Sequence, residues 1–377
     1  LASGVSAHAA PAPLGGRKGL VFVASTLYDM GGHSETLRIW SELLRERFPF
    51  QTLILTAGNG LEHHFPVLER RLGSGGMKIL KLDGREGRLQ RTAVLAELLA
   101  GSGAACAFFF AHPDDPIAPA AAAACRGRVP TVLFNHADID FWLGATCCDH
   151  FVHFRSIGAA CSAARRGLGD SRVIPLTTDL TRVTGARESL GIPREATVSI
   201  SVGSFWKVAT GTDFCYLRSV ARILERHANH YHLFITSPPD REVLARLLPY
   251  DEEVSRRFIV TGPYADMRPF YSGADFLIET FPLVGGSVRV EAMSLGLPIV
   301  AFRNRDNELY SNTDALDGDY PFTATDDDGV VEISRLFIAD PALRADCGRG
   351  LQRRFRELLA PDSIRSRLLR MLEEVAA

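Results

Sequence analysis

The chain has 377 residues, 46% hydrophobic and 23% charged, with a formal net charge of −2. That length asks for two domains, and that charge gives no support to nucleic-acid binding. No apolar run approaches the roughly 20 residues of a spanning helix. The seven cysteines (106, 125, 147, 148, 161, 215 and 347) show no repeated metal-ligand spacing, so they read as reduced thiols of a cytoplasmic protein.

Residues 1–18 are small and Pro/Gly-containing, lack an apolar core, and read as a flexible lead-in and not as a signal peptide; a first residue of Leu points to an upstream segment. From residue 19 short apolar runs alternate with helix-period stretches. The runs Gly19–Ser25, Gln51–Thr56, Met77–Leu82, Ala105–Ala111, Thr131–Asn135 and His150–Phe154 are predicted strands, with predicted helices at Ser34–Arg47 and Leu89–Leu99. The Ala-rich stretch 117–125 reads as a short buried helix. After Val173-Ile174-Pro175 a Thr-rich stretch reads as a linker, with a hinge near 177–192. The alternation then resumes: strand Val198–Val202, helix Asp213–Arg226, and strands Leu233–Thr236, Phe258–Thr261 and Phe276–Ile278.

This pattern predicts an α/β protein of two Rossmann-like, doubly wound domains facing across a cleft at the carboxyl ends of their sheets. The expected boundaries are 1–18 for the lead-in, 19–180 for the first domain, 181–360 for the second, and 361–377 for a helix crossing back to brace the first.

Residues 275–302 carry the clearest chemistry. Phe276-Leu277-Ile278 ends in Glu279; a turn with Pro282 and Gly285-Gly286 follows, then a helix from Ser287 to Leu295 and a second apolar run, Ile299–Phe302. A glycine loop opening a helix offers backbone N–H groups and a positive dipole end to phosphate. Glu291, one turn inside that helix, is placed to accept hydrogen bonds from ribose hydroxyls, although a solvated helix face is the commoner setting for a glutamate. Arg289 and the backbone of Val288 are alternatives for facing phosphate. In the first half, Gly31-Gly32-His33 repeats the strand–glycine–helix transition, but no third glycine completes a dinucleotide fingerprint. His136 follows the strand Thr131–Asn135, where a histidine can serve as a general base. His112 occupies an analogous strand end, and position alone does not separate the two. Asp138-x-Asp140 reads as coincidence, and no metal set is expected. Asp326-Asp327-Asp328 reads as an acidic helix start, and Arg165-Arg166 as a solvated face.

The stretch 279–302 resembles the donor-binding segment of GT-B glycosyltransferases. Its wording, Glu-Thr-Phe-Pro-Leu-Val-Gly-Gly-Ser with a second acid twelve positions after Glu279, is most similar to the O-GlcNAc-transferase-like and bacterial polysaccharide- or protein-glycosylating branch. The paired glutamates eight positions apart of the retaining branch are absent, since Leu283 stands eight before Glu291. The resemblance implies donor binding by Ser204, Lys207, Glu279, Gly285, Gly286, Ser287, Val288 and Glu291, with Lys207 on the diphosphate. It places Gly31 and Gly32 near phosphate or acceptor, and His136 or His33 at the chemistry. The implied activity is metal-independent transfer of a sugar from a nucleoside diphosphate, UDP- or GDP-linked, to a glycan, lipid-linked or protein acceptor. No cofactor is implied. The partners are the nucleotide sugar and the acceptor, with peripheral association at the inner face of a membrane left open. A sugar-nucleotide epimerase and a non-catalytic sugar-nucleotide-binding domain share the implied architecture and stand as alternatives.

Overall fold

A computed structural model describes residues 19–57, 65–209, 216–237, 252–311, 314, 316 and 320–376. The lead-in 1–18, most of the loop 57–66 and the first residues of the helix expected from Asp213 lie outside the described residues. The chain divides into two compact units, Leu1–Ile174 with Arg365–Ala377, and Pro175–Ile364.

The first unit runs β1 (Gly19–Ala24), α1 (Gly32–Leu44), β2 (Phe50–Leu55), α2 (Pro66–Ser74), β3 (Lys78–Lys81), α3 (Arg88–Ala100), β4 (Cys106–Phe110), α4 (Ile117–Ala124), β5 (Thr131–Asn135), β6 (His150–His153), α5 (Ser156–Arg166) and β7 (Arg172–Val173). Its parallel strands lie in the order β3-β2-β1-β4-β5-β6-β7. Every residue of β1, β4 and β5 is buried, as expected of central parallel strands covered on both faces. Trp40 of α1 sets its ring edge against Phe108, Phe110 and Phe134 at 5.0–5.6 Å, so one aromatic anchors the helix to two strands. At the carboxyl edge, buried Asp115 accepts the Ser25 and Thr56 hydroxyls at 2.6 Å each and the Ile117 N–H at 2.8 Å. That carboxylate ties the ends of β1 and β2 to α4, and it fixes the edge from which the functional loops spring.

The second unit runs β8 (Thr197–Val202), α6 (Tyr216–Arg226), β9 (His230–Ile235), α7 (Glu252–Arg257), β10 (Phe258–Thr261), α8 (Arg268–Gly273), β11 (Phe276–Ile278), α9 (Gly286–Ser294), β12 (Ile299–Phe302), β13 (Thr323–Ala324), α10 (Asp327–Ala339) and α11 (Pro341–Leu358). Its parallel strands are ordered β10-β9-β8-β11-β12-β13. Asp326 caps α10 by accepting the Gly329 N–H, which is the acidic helix start expected there. The last helix, α12 (Pro361–Ala376), returns to the first unit: Arg365 donates to the Leu43 carbonyl at 3.2 Å, and Arg172 pairs with Glu374 at 2.8 Å.

A polar ladder runs through the core of the second unit. The Ser199 hydroxyl lies 2.9 Å from His230 Nε2 and 2.8 Å from His232 Nδ1, and Tyr216 bonds His232 Nε2 at 2.7 Å. Both histidines are at most 1% exposed. Burial holds His230 well below its ordinary value, with His232 adding to the effect, and holds His232 down to about 3. Both are therefore neutral in the fold but titrate near pH 6.5 once unfolded, so the unfolded chain gains protons first as pH falls. Stability is full above pH 6.5 and declines below it, by roughly 1.4 kcal/mol per pH unit per histidine. Calorimetry of the intact chain should show the second unit weakened by about 3 kcal/mol at pH 5.5 relative to pH 7.5. Equal stability at the two pH values would refute the neutral buried pair.

Among the described residues no helix is long and apolar enough to cross a membrane. The described cysteines 106, 125, 147, 148, 161 and 347 are all free thiols.

Candidate functional site

The second unit sets a helix start beside a lysine. After β11 the Thr280 hydroxyl donates to the Leu283 carbonyl at 2.8 Å, and the Val284 N–H to the Tyr310 carbonyl at 3.1 Å, which shapes the turn. Gly285 is the N-cap of α9, with extended backbone, and as a glycine it brings no capping side chain of its own. Gly286, Ser287 and Val288 form the first turn, at the positive pole of the helix. Glycine at 285 keeps this mouth open: a Cβ there would stand 3.3 Å from Val288 Cγ2 and 4.0 Å from Lys207 Nζ. Lys207 arrives from the 3-10 turn Phe205–Lys207 after β8, held by its own N–H donating to the Ser204 carbonyl at 3.0 Å. The neighbouring Trp206 is 55% exposed, its ring centroid 6.0 Å from the ammonium. A cation and a helix start thus converge, which is the combination an oxyanion requires.

Glu291 is half-buried and accepts the Tyr271 hydroxyl at 2.6 Å. Tyr271 is fully buried, and burial together with the Glu291 charge pushes its hydroxyl well above the ordinary tyrosine range, so it stays a donor. One Glu291 oxygen is therefore oriented by Tyr271 while the carboxylate keeps further acceptor capacity.

Glu279, expected at the donor, and Arg289, an alternative for facing phosphate, are turned toward each other. Glu279 is 3% exposed, and its oxygens accept Arg289 Nε at 2.6 Å, a second Arg289 nitrogen at 2.5 Å and the Phe302 N–H at 2.9 Å. Arg289 is itself 2% exposed, so it is not turned toward phosphate. This buried pair fastens the end of β11, the first turn of α9 and the end of β12 together. The other end of α9 is held by a close approach to α11. A Cβ on Gly348 would stand 2.2 Å from the Gly296 carbonyl oxygen, and Gln352 donates to the Ser294 carbonyl at 3.0 Å.

In the first unit Gly31 is the N-cap of α1 with φ 127°, a conformation that L side chains rarely adopt, so glycine is required there for the turn itself. Asp29 just before it caps α2, accepting the Val67 and Leu68 N–H groups at 2.9 and 2.8 Å. The turn sends His33 onto the carboxyl edge, where its Nε2 donates to the Phe110 carbonyl at 2.8 Å. His33, His112 and His136 gather there: ring centroids are 4.2 Å apart for 33–136, 5.1 Å for 33–112 and 5.5 Å for 112–136. His112 Nε2 and His136 Nδ1 are buried and make no hydrogen bond. Burial, with His112 beside it, lowers His33 to about 4. Burial and the two neighbouring rings hold His136 well down. Burial also lowers His112 despite Asp114 and Asp115. All three are neutral at pH 7, and a second charge at these separations costs about 3 kcal/mol at an effective dielectric of about 20. At most one of the three can hold a proton, and burial leaves each a weaker base than a free imidazole. His112 and His136, rivals in sequence, are neighbours in space. Asp138 is buried against Arg155, with oxygen–nitrogen distances of 2.8 and 2.6 Å, whereas Asp140 is exposed. Among the described residues no group of three or more His, Cys, Asp or Glu is arranged to hold a metal ion.

Tyr271 carried no sequence signal, since it lies twenty residues before Glu291 in a helix of its own. The gathering of His112 with His33 was legible only once β4 was placed between β1 and β5.

Residues 196–332 match the family described as Glycosyl transferases group 1. No curated protein sequence matches the chain. Solved structures do. The Anabaena protein HepE in complex with UDP-glucose is similar at TM-score 0.71 and 15% identity, over 94% of this chain and 99% of that one. A glycosyltransferase from Rickettsia africae follows at 0.70 and 11%, over 94% and 98%. A mutant of the Thermobaculum terrenum O-GlcNAc transferase matches at 0.59 and 14%, over 98% of this chain and 71% of that one. The chain has the GT-B fold, and its match to the Glycosyl transferases group 1 family lies in the second unit, at residues 196–332.

Proposed function

We propose that the protein transfers a hexose from a nucleoside-diphosphate sugar to a hydroxyl of a glycan, lipid-linked or protein acceptor, without a metal ion. The observation that carries this reading is Lys207 Nζ, 4.0 Å from the Cβ position of Gly285, the glycine that opens helix α9. Negative charge builds on the departing nucleoside diphosphate as the glycosidic bond breaks, and fixed positive ends stabilise it without reorganising. Gly285, Gly286, Ser287 and Val288 supply backbone donors, Glu291 takes the ribose, and Ser204 shapes the lysine turn. We assign acceptor activation to the histidines of the first unit, with His136 or His33 receiving the hydroxyl proton. Uridine is the favoured base, because a protein with this fold was solved with UDP-glucose.

A thermal-shift screen of UDP- and GDP-sugars should find at least one that raises the melting temperature, since ligands of the native state stabilise it. Product analysis with that donor in EDTA should then show nucleoside diphosphate released. An isomerised sugar nucleotide would make the protein an epimerase, and binding with neither transfer nor hydrolysis a non-catalytic domain. Turnover lost in EDTA and restored by Mn²⁺ would overturn the metal-free mechanism.

A further inference from the structure

Trp206, next to the lysine assigned to the diphosphate, is 55% exposed, whereas the other two tryptophans, Trp40 and Trp142, are 1% and 4% exposed. The local fold turns it outward. In a 3-10 turn residues three apart share a side, and here Phe205 and Val208 are the inward pair. Val208 is buried, and Phe205 packs on Phe234 with ring centroids 6.4 Å apart. Trp206 and Lys207 are left on the outward side, the ammonium 6.0 Å from the indole centroid. The lysine stem runs over the ends of β8 and β11, since a Cβ on Gly203 would stand 3.9 Å from Lys207 Cδ and 3.3 Å from Thr280 Cγ2. A large apolar ring thus stays in water beside the donor cation, and its hydration cost is one that a ligand can relieve.

Side-chain alternation in the sheet decides which end of a donor reaches this ring. Along β11, Phe276 and Ile278 point to one face and Leu277 to the other. Phe205 and Val208 pack in the core of the first face, with Phe276 and Ile278. Tyr271, Val290 and Met293 pack in the core of the second, with Leu277. Glu291 belongs to the helix on this second face and accepts the Tyr271 hydroxyl. Trp206 and Glu291 therefore come to the Gly285 mouth from opposite faces of the sheet. In a nucleotide sugar the diphosphate separates the ribose from the sugar to be transferred. A donor whose ribose meets Glu291 consequently sends its sugar toward Trp206. A pyranose presents a face of C–H groups that stacks on indole while its hydroxyls stay at the rim.

We propose that the Trp206 indole is the platform on which the transferred hexose stacks, while Lys207 and the start of α9 hold the diphosphate. The inference rests on the donor-site reading and deepens it by naming what receives the sugar; free UDP separates the two. With Trp40 and Trp142 buried, the neutral quencher acrylamide reports on Trp206 fluorescence in the full chain. UDP-glucose should shield that emission and UDP should not. In calorimetric titrations Trp206→Ala should bind UDP like wild type and UDP-glucose about tenfold more weakly, the loss of one partly buried aromatic contact. Trp206→Tyr should recover most of the UDP-glucose affinity, and the ligand-free melts of both variants should match wild type. If UDP and UDP-glucose bind but shield Trp206 equally or not at all, the platform is refuted and the donor site stands. Full UDP-glucose affinity in Trp206→Ala refutes it in the same way. If Trp206→Ala weakens UDP as much as UDP-glucose, the ring acts on the nucleotide or through Lys207, and the sugar assignment is overturned. Binding of neither compound by the wild type would overturn the donor-site reading and this proposal with it.

Discussion

Lys207→Ala should lower kcat/KM for the preferred sugar nucleotide by about two orders of magnitude, close to 3 kcal/mol of transition-state stabilisation, the loss typical of removing one preorganised oxyanion contact. Lys207 is half-buried at the end of a 3-10 turn, so its truncation removes charge without opening a core. The melting temperature without ligand should therefore be unchanged. Calorimetric titration with UDP should show weakened binding, because the diphosphate carries charge in the ground state too, while the larger loss appears in turnover, where bond cleavage adds charge. Lys207→Arg keeps the cation but replaces a compact ammonium by a planar fork, so it should recover only part of the activity. Wild-type affinity and turnover in Lys207→Ala would remove the site proposed here.

The second large effect concerns stability. Arg289→Met strands the Glu279 carboxylate, 3% exposed, with the Phe302 N–H as its remaining partner. Breaking a buried pair from one side costs about 3–5 kcal/mol, a fall in melting temperature of roughly 10 °C for a unit of this size. The double variant Glu279→Leu/Arg289→Met removes both charges and should be more stable than Arg289→Met alone, even though the Phe302 N–H loses its acceptor. Thermal melts of the three proteins decide it. If the double variant is the least stable, Glu279 is doing more than answering Arg289.

The strand–glycine–helix–strand block of residues 276–302 was legible because its punctuation is local: Gly285-Gly286 opens the helix, Gly296 and Pro298 close it, and the apolar runs on either side are β11 and β12 within a residue of their expected limits. β7 and β13 were missed as strands, since two residues are too few to set a period. The partner of Glu279 was not legible for a different reason. A spacing of ten residues is no pairing signal for a glutamate and an arginine, and only the turn between β11 and α9 folds them into one buried pair. The histidines needed strand order. β1, β4 and β5 are neighbours in the sheet, so the residues just beyond their carboxyl ends meet although His33 and His136 are more than a hundred positions apart.

Both ends of α9 are secured by contacts inside the protein, the buried carboxylate–guanidinium pair near its start and the close glycine crossing at its tail. In the donor reading, the amides that would grip the incoming sugar nucleotide would grip the spent nucleoside diphosphate just as readily. Such a rigid anchor makes the leaving group a competitor of its own precursor, so the cell must clear it for the reaction to keep running forward.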